Sequence, residues 1–362
     1  MTNQKNKFKF FNDSLELYNE MLKDISKAKK HIYLETYIYG DEEIGEKFRN
    51  ALTKAASKGV EVKLLLDAWG SSVRKSFFSE LISAGGQVRF FKKIKIKLNF
   101  FRYNHNRDHR KLLLIDDKIT YIGSANTALK GINWRELTVR IKGSITKKFK
   151  LVFLEIFKLH NYYWSEIRSS VLRDKSKNLF QEDLAIIRDI PTYLVANNKD
   201  VYMNALKTAR KEIIIETAYF VPDMTLRIAL KKAAKRGLNV TLILPWHSDV
   251  KIVDILREKF LGRLYKKGVK IKYYKSGILH AKNFICDNEI AMITSSNLDF
   301  RSFFHQYEIG ISSTNPDFVL GVKKHLDESL LGCMDFDYNK WKNRHFFQKV
   351  MELILWPFKQ WI

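Results

Sequence analysis

The sequence predicts an α/β fold in which one unit occurs twice, each copy holding a mixed, largely parallel sheet with helices on both faces. The first observation is internal similarity. Residues 32–66 resemble residues 213–244, and residues 109–126 align without a gap to residues 280–297, 171 positions further along. The second observation is length, because 362 residues correspond to about two domains.

Each copy of the first repeat has the pattern of a β-α-β unit. A short apolar run containing Glu-Thr is followed by an amphipathic helix and a second apolar run. Apolar runs of this length, bounded by turn signals, are typical of strands buried on both faces. Gly59 and Gly237 follow the helices, where a helix end favours a left-handed residue. Strands joined in this way lie parallel, so we expect largely parallel sheets.

The second repeat has the pattern of a β-hairpin. Two short apolar runs are joined by Asp-Asp-Lys at residues 116–118 and by Asp-Asn-Glu at residues 287–289. Between the copies, residues 169–189 are polar and lack clear periodicity. We therefore place the domain boundary there, with a first half over residues 1–180 and a second half over residues 181–362.

The composition limits the partners. Lys and Arg number 64 against 39 Asp and Glu, a net charge of +25, so the expected partners are nucleic acid or an anionic membrane surface. Two cysteines, Cys286 and Cys333, are too few for a disulfide framework, which fits a reducing compartment. No apolar stretch approaches the roughly 18–20 residues that span a bilayer, and residues 1–11 lack a signal-peptide pattern.

Each hairpin begins with a histidine, a lysine two positions later and an aspartate five positions after that. On a strand, residues two apart share a face, so each His and its Lys point to one side. A single such trio would more simply be a half-buried strand, but two copies followed by matching small polar residues favour a functional site. The trios are His109, Lys111, Asp116 and His280, Lys282, Asp287, and the residues that follow them are Ser124, Asn126, Ser295 and Asn297.

This set of side chains suits a phosphate. Lysine ammonium groups neutralise phosphate oxygens, and serine and asparagine add neutral donors. A neutral imidazole can attack phosphorus, and a protonated one can donate to the leaving oxygen. One half supplies only one histidine, so we expect the halves to face each other across a pseudo-two-fold axis that passes through the site.

An imidazole nucleophile needs a carboxylate on its other nitrogen. Glu136 lies 27 residues after His109, and Glu308 lies 28 residues after His280, each at the start of a strand-like run. We expect Glu136 to serve His109 and Glu308 to serve His280, although either could be an ordinary strand-end glutamate. For Asp116 and Asp287, which precede tight turns, turn capping is as good an interpretation as catalysis. The sequence has no metal-ligand cluster and no glycine-rich phosphate loop, so we predict no metal and no cofactor.

The two His-x-Lys-x4-Asp motifs with their tails resemble the phospholipase D superfamily, and the resemblance covers nearly the whole chain. Residues 218–223 (AYFVPD) and 295–308 (SSNLDFRSFFHQYE) are similar to bacterial cardiolipin synthases. The resemblance implies a phospholipase D-type α/β/α sandwich in each half and a metal-free phosphatidyl transfer through a phosphohistidine. It favours His109 as the nucleophile and His280 as general acid and base. Departures from the family pattern are Glu136 for Asp, Thr294 for Gly and Gln306 for Asn.

Two segments bear on the choice between lipid and nucleic acid, and the C-terminal one moves it toward lipid. Residues 87–111 hold nine Lys and Arg among apolar side chains, which suits an anionic interface, a single-strand nucleic-acid groove or a basic edge strand. Residues 341–362 place apolar residues at helical spacing between tryptophans, as in an interfacial helix or a helix docked on the core.

The function expected from the resemblance is a phosphatidyltransferase that uses phosphatidylglycerol, peripheral at the cytoplasmic face of a bacterial membrane. The alternatives are a phospholipid hydrolase, in which water replaces the acceptor, and a phosphodiesterase that acts on nucleic acid.

Overall fold

The computed structural model describes residues 6–93, 104–160, 177–192 and 195–360. Within these ranges the first half forms a seven-stranded sheet in the order β1-β8-β7-β6-β2-β3-β4. Its strands are β1 (Lys7–Phe11), β2 (His31–Thr36), β3 (Glu61–Asp67), β4 (Gln87–Phe91), β6 (Leu112–Ile115), β7 (Ile119–Gly123) and β8 (Thr138–Lys142), and β5 (Arg107–Asp108) lies outside this sheet. The helices of this half are α1 (Ser14–Ser26), α2 (Glu43–Ala56), α3 (Ser79–Ser83) and α4 (Thr146–Leu159).

The second half forms a larger sheet in the order β19-β14-β13-β11-β15-β16-β18-β10-β9 among the described residues. Its strands are β9 (Leu179–Gln181), β10 (Leu184–Asp189), β11 (Glu212–Glu216), β13 (Asn239–Pro245), β14 (Lys270–Tyr274), β15 (Asn283–Cys286), β16 (Ile290–Thr294), β18 (Gln306–Ser313) and β19 (Cys333–Asp335), and β12 (Phe220–Val221) pairs with β17 (Leu298–Asp299). The helices are α5 (Asn197–Thr208), α6 (Met224–Lys235), α7 (Lys251–Tyr265), α8 (Phe300–Phe304), α9 (Pro316–Leu331), α10 (Tyr338–Lys342) and α11 (Phe346–Leu355). Because β9 starts at Leu179, the boundary expected at residues 180 and 181 falls inside the first strand of this sheet.

The mixed α/β architecture is confirmed, but the expectation of largely parallel sheets is wrong. Among the described residues, parallel pairing in the two large sheets is limited to β2-β3-β4 and β11-β13-β14, the strands joined through helices, and to the two-residue contact of β5 with β18. The hairpins β6-β7 and β15-β16 and their neighbours pair antiparallel. The reason is connection length, since a short turn can join only antiparallel strands.

Both repeats form the local structures that their sequences predict. Gly59 and Gly237 end helices α2 and α6 with φ of 85° and 87°, a conformation that suits glycine. The hairpin turns place two successive residues at positive φ, Asp116 and Asp117 in the first copy and Asp287 and Asn288 in the second. That pattern is typical of the two-residue turn whose twist matches a hairpin.

The two sheets share one central core. Side chains of α4 and α9, such as Phe149, Phe153 and Phe318, pack with side chains of both sheets, including Leu112 and Ile311. Helices α1 and α2 cover the outer face of the first sheet, and α5, α6 and α7 cover the outer face of the second. Because the two halves share this core, their sheets are held side by side, and the ends of strands from both halves meet at one interface.

The two segments expected to meet a membrane differ in what the structure describes. Residues 94–103 of the basic segment lie outside the described residues, and Lys92 before them is buried. Helix α11 packs on α7 with one side, where the buried Glu352 pairs with Arg344 of the preceding segment, and exposes a row of apolar side chains on the other. Among the described residues, no helix is long and apolar enough to cross a membrane.

Candidate active site at the interface of the two halves

A cavity of about 520 Å³ lies where the two halves meet, and both motif histidines line it. Its wall also contains Asn126 and Trp134 from the first half and Asn297 from the second. His109 and His280 are each at least nine-tenths buried. The structure thus brings together, at one place, residues that are 171 positions apart in the chain.

Each histidine is held by a short parallel contact of the chain with the opposite half. Strand β5 pairs in parallel with β18, matching Arg107 to Gln306, and the His109 amide donates to the carbonyl of Tyr307 at 3.0 Å. In the equivalent contact of the second half, Leu279 forms a parallel bridge with Arg135, and the His280 amide donates to the carbonyl of Arg135 at 2.8 Å. These contacts bring His109 beside Glu308 and His280 beside Glu136.

The glutamates are therefore exchanged between the halves, and the expectation that each serves its own half is wrong. Nδ1 of His109 lies 3.0 Å from Oε1 of Glu308. Nδ1 of His280 lies 2.8 Å from Oε1 of Glu136. The physical reason is this pair of contacts between the halves, which was not visible in offsets counted within one half. With Nδ1 held by a carboxylate, Nε2 is the ring nitrogen left for chemistry in the cavity.

The two histidines differ in their tendency to take up a proton. Burial, the nearby Lys111 and Lys282, and other cations hold the pKa of His109 well below its usual range. Burial also lowers the pKa of His280, but the charge and hydrogen bond of Glu136 oppose that effect. His109 is consequently the more strongly neutral imidazole, the form that attacks phosphorus.

The carboxyl groups of Glu308 and Glu136 also differ in their tendency to take up a proton. Burial raises the pKa of Glu308 to about 7, in spite of Lys111 and the hydroxyl of Ser295. Burial would also raise the pKa of Glu136, but the charge of His280 and its hydrogen bond hold that pKa below its usual value. Glu136 is thus a lasting negative charge that favours an imidazolium at His280.

Both motif lysines are fully buried, and each ammonium donates to the carbonyl of the histidine two residues earlier. Burial lowers the pKa of Lys111 to about 7 and that of Lys282 to about 8, against the opposing charges of Glu308 and Glu136. An anionic phosphate in the cavity would restore their positive charge, because an opposite charge nearby raises a lysine pKa.

The small polar residues after the motifs divide into two groups. Ser295 donates to Glu308 and accepts from the Ile309 amide at 3.0 Å, and Ser124 accepts from the Leu137 amide at 3.0 Å. The serines therefore form hydrogen bonds with the chain segments that carry Glu136 and Glu308, and they do not line the cavity. Asn126 and Asn297 line it, and Oδ1 of Asn297 is buried without a hydrogen-bond partner among the described residues.

Asp116 and Asp287 are not brought to the cavity. Each lies at the far end of its motif strand, about five residues or roughly 16 Å from the lysine. Each carboxylate accepts from three successive backbone amides, those of Lys29, Lys30 and His31 or those of Arg210, Lys211 and Glu212. Turn capping describes this geometry, and direct catalysis does not.

Comparison with known proteins identifies the family. Residues 21–158 and 202–330 match the family model described as cardiolipin synthase, PLD-like domain. The chain belongs to this family. The match confirms the resemblance seen in the two motifs and makes the protein an enzyme of the phospholipase D superfamily, of the phosphatidyltransferase type.

Relatives and a solved structure agree with this family. The chain is 31% identical over 368 residues to a cardiolipin synthase of Clostridium perfringens (strain SM101 / Type A), which covers 97% of this chain and 76% of that protein. It is 30% identical over 357 residues to the major cardiolipin synthase of Bacillus subtilis (strain 168), covering 94% of this chain and 72% of the relative. The crystal structure of phosphatidylserine synthase from Haemophilus influenzae Rd KW20 superposes with a TM-score of 0.76 at 15% identity, covering 97% and 92% of the two chains, which supports the fold.

Several cavity residues were not singled out by sequence reasoning. Most of them lie in loops after strands, and Arg301 lies in helix α8. Their residue types are not repeated at the equivalent positions of the two copies, so the comparison of the copies did not find them. Arg301 belongs to the stretch that resembles cardiolipin synthases, and Asp249 follows strand β13 in the sequence PWHSD. The cavity residues in this group are Tyr37, Trp69, Trp134, Tyr219, Asp249 and Arg301.

The described part of the chain has no group of three or more His, Cys, Asp and Glu side chains placed to hold a metal ion.

Proposed function

We propose that the protein makes cardiolipin by moving a phosphatidyl group from a phospholipid donor onto the glycerol headgroup of phosphatidylglycerol. The observation that carries this proposal is the pair of histidines at one cavity, each held by a buried carboxylate from the opposite half. Relatives that match over nearly the whole chain are cardiolipin synthases, which supports phospholipids as the substrates.

In the first step, Nε2 of His109 attacks the phosphorus of the donor. The N–P bond forms as the bond from phosphorus to the departing headgroup oxygen breaks. His280 takes up a proton when the anionic phosphate joins Glu136 beside it, because nearby negative charge favours the imidazolium. It gives that proton to the departing oxygen, and the headgroup leaves as an alcohol. Lys111, Lys282 and the amides of Asn126 and Asn297 stabilise the charge on the phosphate oxygens.

In the second step, a glycerol hydroxyl of phosphatidylglycerol attacks the phosphohistidine. Neutral His280 takes the hydroxyl proton, the new O–P bond forms, and the N–P bond to His109 breaks. The products are cardiolipin and the original protonation states of both histidines. The reaction is balanced without an oxidant, a reductant or a cofactor.

The test is the lipid content of cells that lack cardiolipin. Expression of the protein should produce cardiolipin, detected by mass spectrometry of the extracted lipids, and expression of His109→Ala should not. Accumulation of phosphatidic acid without cardiolipin would support the hydrolase alternative. Cleavage of single-stranded oligonucleotides by the purified protein, with no lipid product, would support the nucleic-acid alternative.

We further propose that the protein works at the surface of an anionic membrane, on the cytoplasmic side of a bacterial cell. Helix α11 and the following turn expose large apolar side chains, with Phe346 73% and Phe347 80% exposed. The other exposed members of this apolar face are Met351, Leu353, Ile354 and Phe358. An apolar helix face flanked by lysines is typical of helices that lie in the membrane interface.

The apolar face lies close to the cavity. Helix α11 packs against α7, and the first turn of α7 contributes Ile252 and Val253 to the cavity wall. The turn after α11 contacts α8, which carries the cavity residue Arg301, and Nζ of Lys359 lies 5.9 Å from the centre of the Phe300 ring. A membrane docked on this face would bring lipid headgroups to the side of the molecule where the histidines lie.

A further inference from the structure

The cavity is two-fold symmetric at its reactive residues but not along its wall. Strands β2 and β11 are equivalent in the two halves and start at His31 and Glu212. Seven residues after these starts, the first half has Ile38 and the second half has Tyr219. Both residues line the cavity. The first half also brings a phenol to the cavity, but from the adjacent position, Tyr37, whose ring centre lies 5.0 Å from that of His109. At the equivalent position itself, the first half has an aliphatic side chain and the second half a phenol.

A second position differs in the same way. Strands β3 and β13 are likewise equivalent. Ten residues after their starts, the first half has Ser71 and the second half has Asp249. The hydroxyl of Ser71 is used by the backbone, since it accepts from the Tyr39 amide at 3.0 Å and donates to the Tyr37 carbonyl at 3.1 Å. Asp249 instead lines the cavity.

The two added side chains in the second half form one unit. The Tyr219 hydroxyl donates to Oδ1 of Asp249 at 2.6 Å. The Tyr219 ring lies edge-on to His280, with ring centres 6.4 Å apart. The phenol can still accept a hydrogen bond, and one bond from Tyr219 uses only part of the acceptor capacity of a carboxylate. The pair can therefore bind more than one hydroxyl of a ligand.

The charges around the two histidines are also unequal. The cation Arg301 acts on His109, and the carboxylate of Asp249 acts on His280. A phosphate is attracted to the cationic side, and a polyhydroxyl group is suited to the carboxylate side. The cavity wall therefore offers different sites to the phosphatidyl donor and to the hydroxyl-bearing acceptor. The two histidines alone would not distinguish them.

We propose that Tyr219 and Asp249 form the acceptor subsite, which binds a polyol headgroup through a hydroxyl that does not react and directs the neighbouring hydroxyl to His280. This inference rests on the function proposed above and adds how the acceptor is chosen. Asp249 is exposed and Tyr219 half-buried until a headgroup covers them. An acceptor with a single hydroxyl displaces water from this pair without making the second hydrogen bond, and it binds less well for that reason. Water makes no such two-point contact, so the subsite also favours transfer over hydrolysis.

The test measures how one phosphoenzyme divides between acceptors. The full-length protein is given a phosphatidyl nitrophenyl ester in micelles with equal concentrations of glycerol and 1-propanol. Phosphatidylglycerol, phosphatidylpropanol and phosphatidic acid are then quantified by mass spectrometry. Because all three arise from the same intermediate, their ratio does not depend on the rate of the first step.

The unchanged protein should favour glycerol over 1-propanol. Asp249→Ala should lower that preference by about tenfold or more, as expected for loss of a hydrogen bond to a charged group, and should raise the share of phosphatidic acid. Tyr219→Phe, which keeps the ring, should shift both ratios in the same direction by a smaller factor. Ser71→Ala, at the equivalent position of the first half, should leave the glycerol preference as it is.

An unchanged product ratio in both Asp249→Ala and Tyr219→Phe would overturn the subsite, as would an equal shift in Ser71→Ala. Failure of the unchanged protein to form either phosphatidyl alcohol would instead count against the proposed transfer reaction. The two failures are thus distinct results of one experiment.

Discussion

His109 and His280 occupy equivalent positions in the two repeats but have different surroundings. Cations surround His109, and the pKa of its partner Glu308 is raised to about 7. His280 instead faces Glu136, whose pKa is lowered, and the carboxylate of Asp249. These differences favour His109 as the nucleophile and His280 as the proton carrier, and they add a physical argument to the assignment that the family resemblance suggested.

This assignment predicts which residue carries the covalent intermediate. With His280→Ala and a substrate whose leaving group needs no protonation, an adduct should form and map to His109 by peptide mass spectrometry. The His109→Ala protein, tested in parallel, should form no adduct. A phosphorylated His280 in His109→Ala would reverse the roles.

The buried lysines predict an alkaline limit to activity. In the free enzyme the pKa of Lys111 is about 7 and that of Lys282 about 8, so both lose their charge as the pH rises through this range. The value of kcat/KM for a short-chain soluble substrate with an activated leaving group, which needs no proton from His280, should therefore fall above about pH 7. The limit in kcat should lie at higher pH, because bound phosphate keeps the ammonium groups protonated. A kcat/KM that stays constant from about pH 6 to 9 would contradict this prediction.

At the scale of the structural elements, the motif aspartates hold a hairpin turn against the start of a neighbouring strand. Burial tends to raise the pKa of Asp116, but three backbone amides lower it below its usual value. The resulting stabilisation is present at neutral pH and is lost as the pH falls through that lowered pKa. Asp287 has the same arrangement in the second half.

Asp116→Asn should therefore reduce stability and leave the chemistry intact. We expect the free energy of unfolding, measured with denaturant at neutral pH, to fall by about 1 kcal/mol. The value of kcat should change less than about twofold, and the stability difference should shrink in acid. A large loss of kcat in a protein of unchanged stability would instead assign the aspartate a catalytic part.

Helix α11 combines a docked side with an exposed side. The packing of Trp356 on Phe260, with ring centres 4.9 Å apart, attaches it to α7, and the ion pair of Arg344 with Glu352 ties it to the segment that precedes it. Both interpretations of the C-terminal segment thus describe part of the helix. Point substitutions on the exposed side separate membrane binding from folding better than truncation, which would remove the docking contacts.

The substitutions Phe346→Ser, Phe347→Ser and Leu353→Ser, made together, should weaken binding to vesicles that contain phosphatidylglycerol by at least about tenfold. Each side chain would otherwise contribute on the order of 1 kcal/mol by entering the interface. Vesicle sedimentation measures the binding, and activity on a soluble short-chain substrate serves as the control. Unchanged sedimentation would show that this face does not meet the membrane.

At the scale of the whole molecule, the exchange of glutamates between halves makes the site depend on both. Glu308 belongs to the second half but orients the nucleophile of the first, and Glu136 does the reverse. The effect of each glutamate should therefore follow the histidine that it contacts and not the motif that precedes it in the chain.

Leaving groups distinguish these two pairings. Glu308→Gln should slow formation of the phosphoenzyme by about 100-fold with either a natural phospholipid or an activated nitrophenyl ester, because it impairs the nucleophile. Glu136→Gln should slow the natural reaction similarly but affect the activated ester by less than about tenfold, because that leaving group needs no proton. Stopped-flow release of nitrophenol measures the second case. The reverse pattern would mean that each glutamate serves its own half in solution.

Local patterns in the sequence were sufficient for the repeated elements and for the reactive side chains. Alternating and continuous apolar runs predict the strands, Gly59 and Gly237 predict the helix ends, and the motif spacing predicts that His109 and Lys111 share a strand face. These inferences hold because each depends on residues only a few positions apart, whose relative geometry is set by the backbone.

The tertiary structure decided how these parts meet. Residue offsets within one half pointed to Glu136 for His109, but the pairing of β5 with β18 selects Glu308. The pairing of β7 with β8 and of β16 with β18 turns Ser124 and Ser295 towards the segments that carry the glutamates, and the hairpin geometry takes Asp116 away from the cavity. Tyr219 and Asp249, 30 residues apart, meet only because their loops follow parallel neighbours in the sheet. Contacts of this kind depend on strand order and register across the whole chain, which local periodicity does not encode.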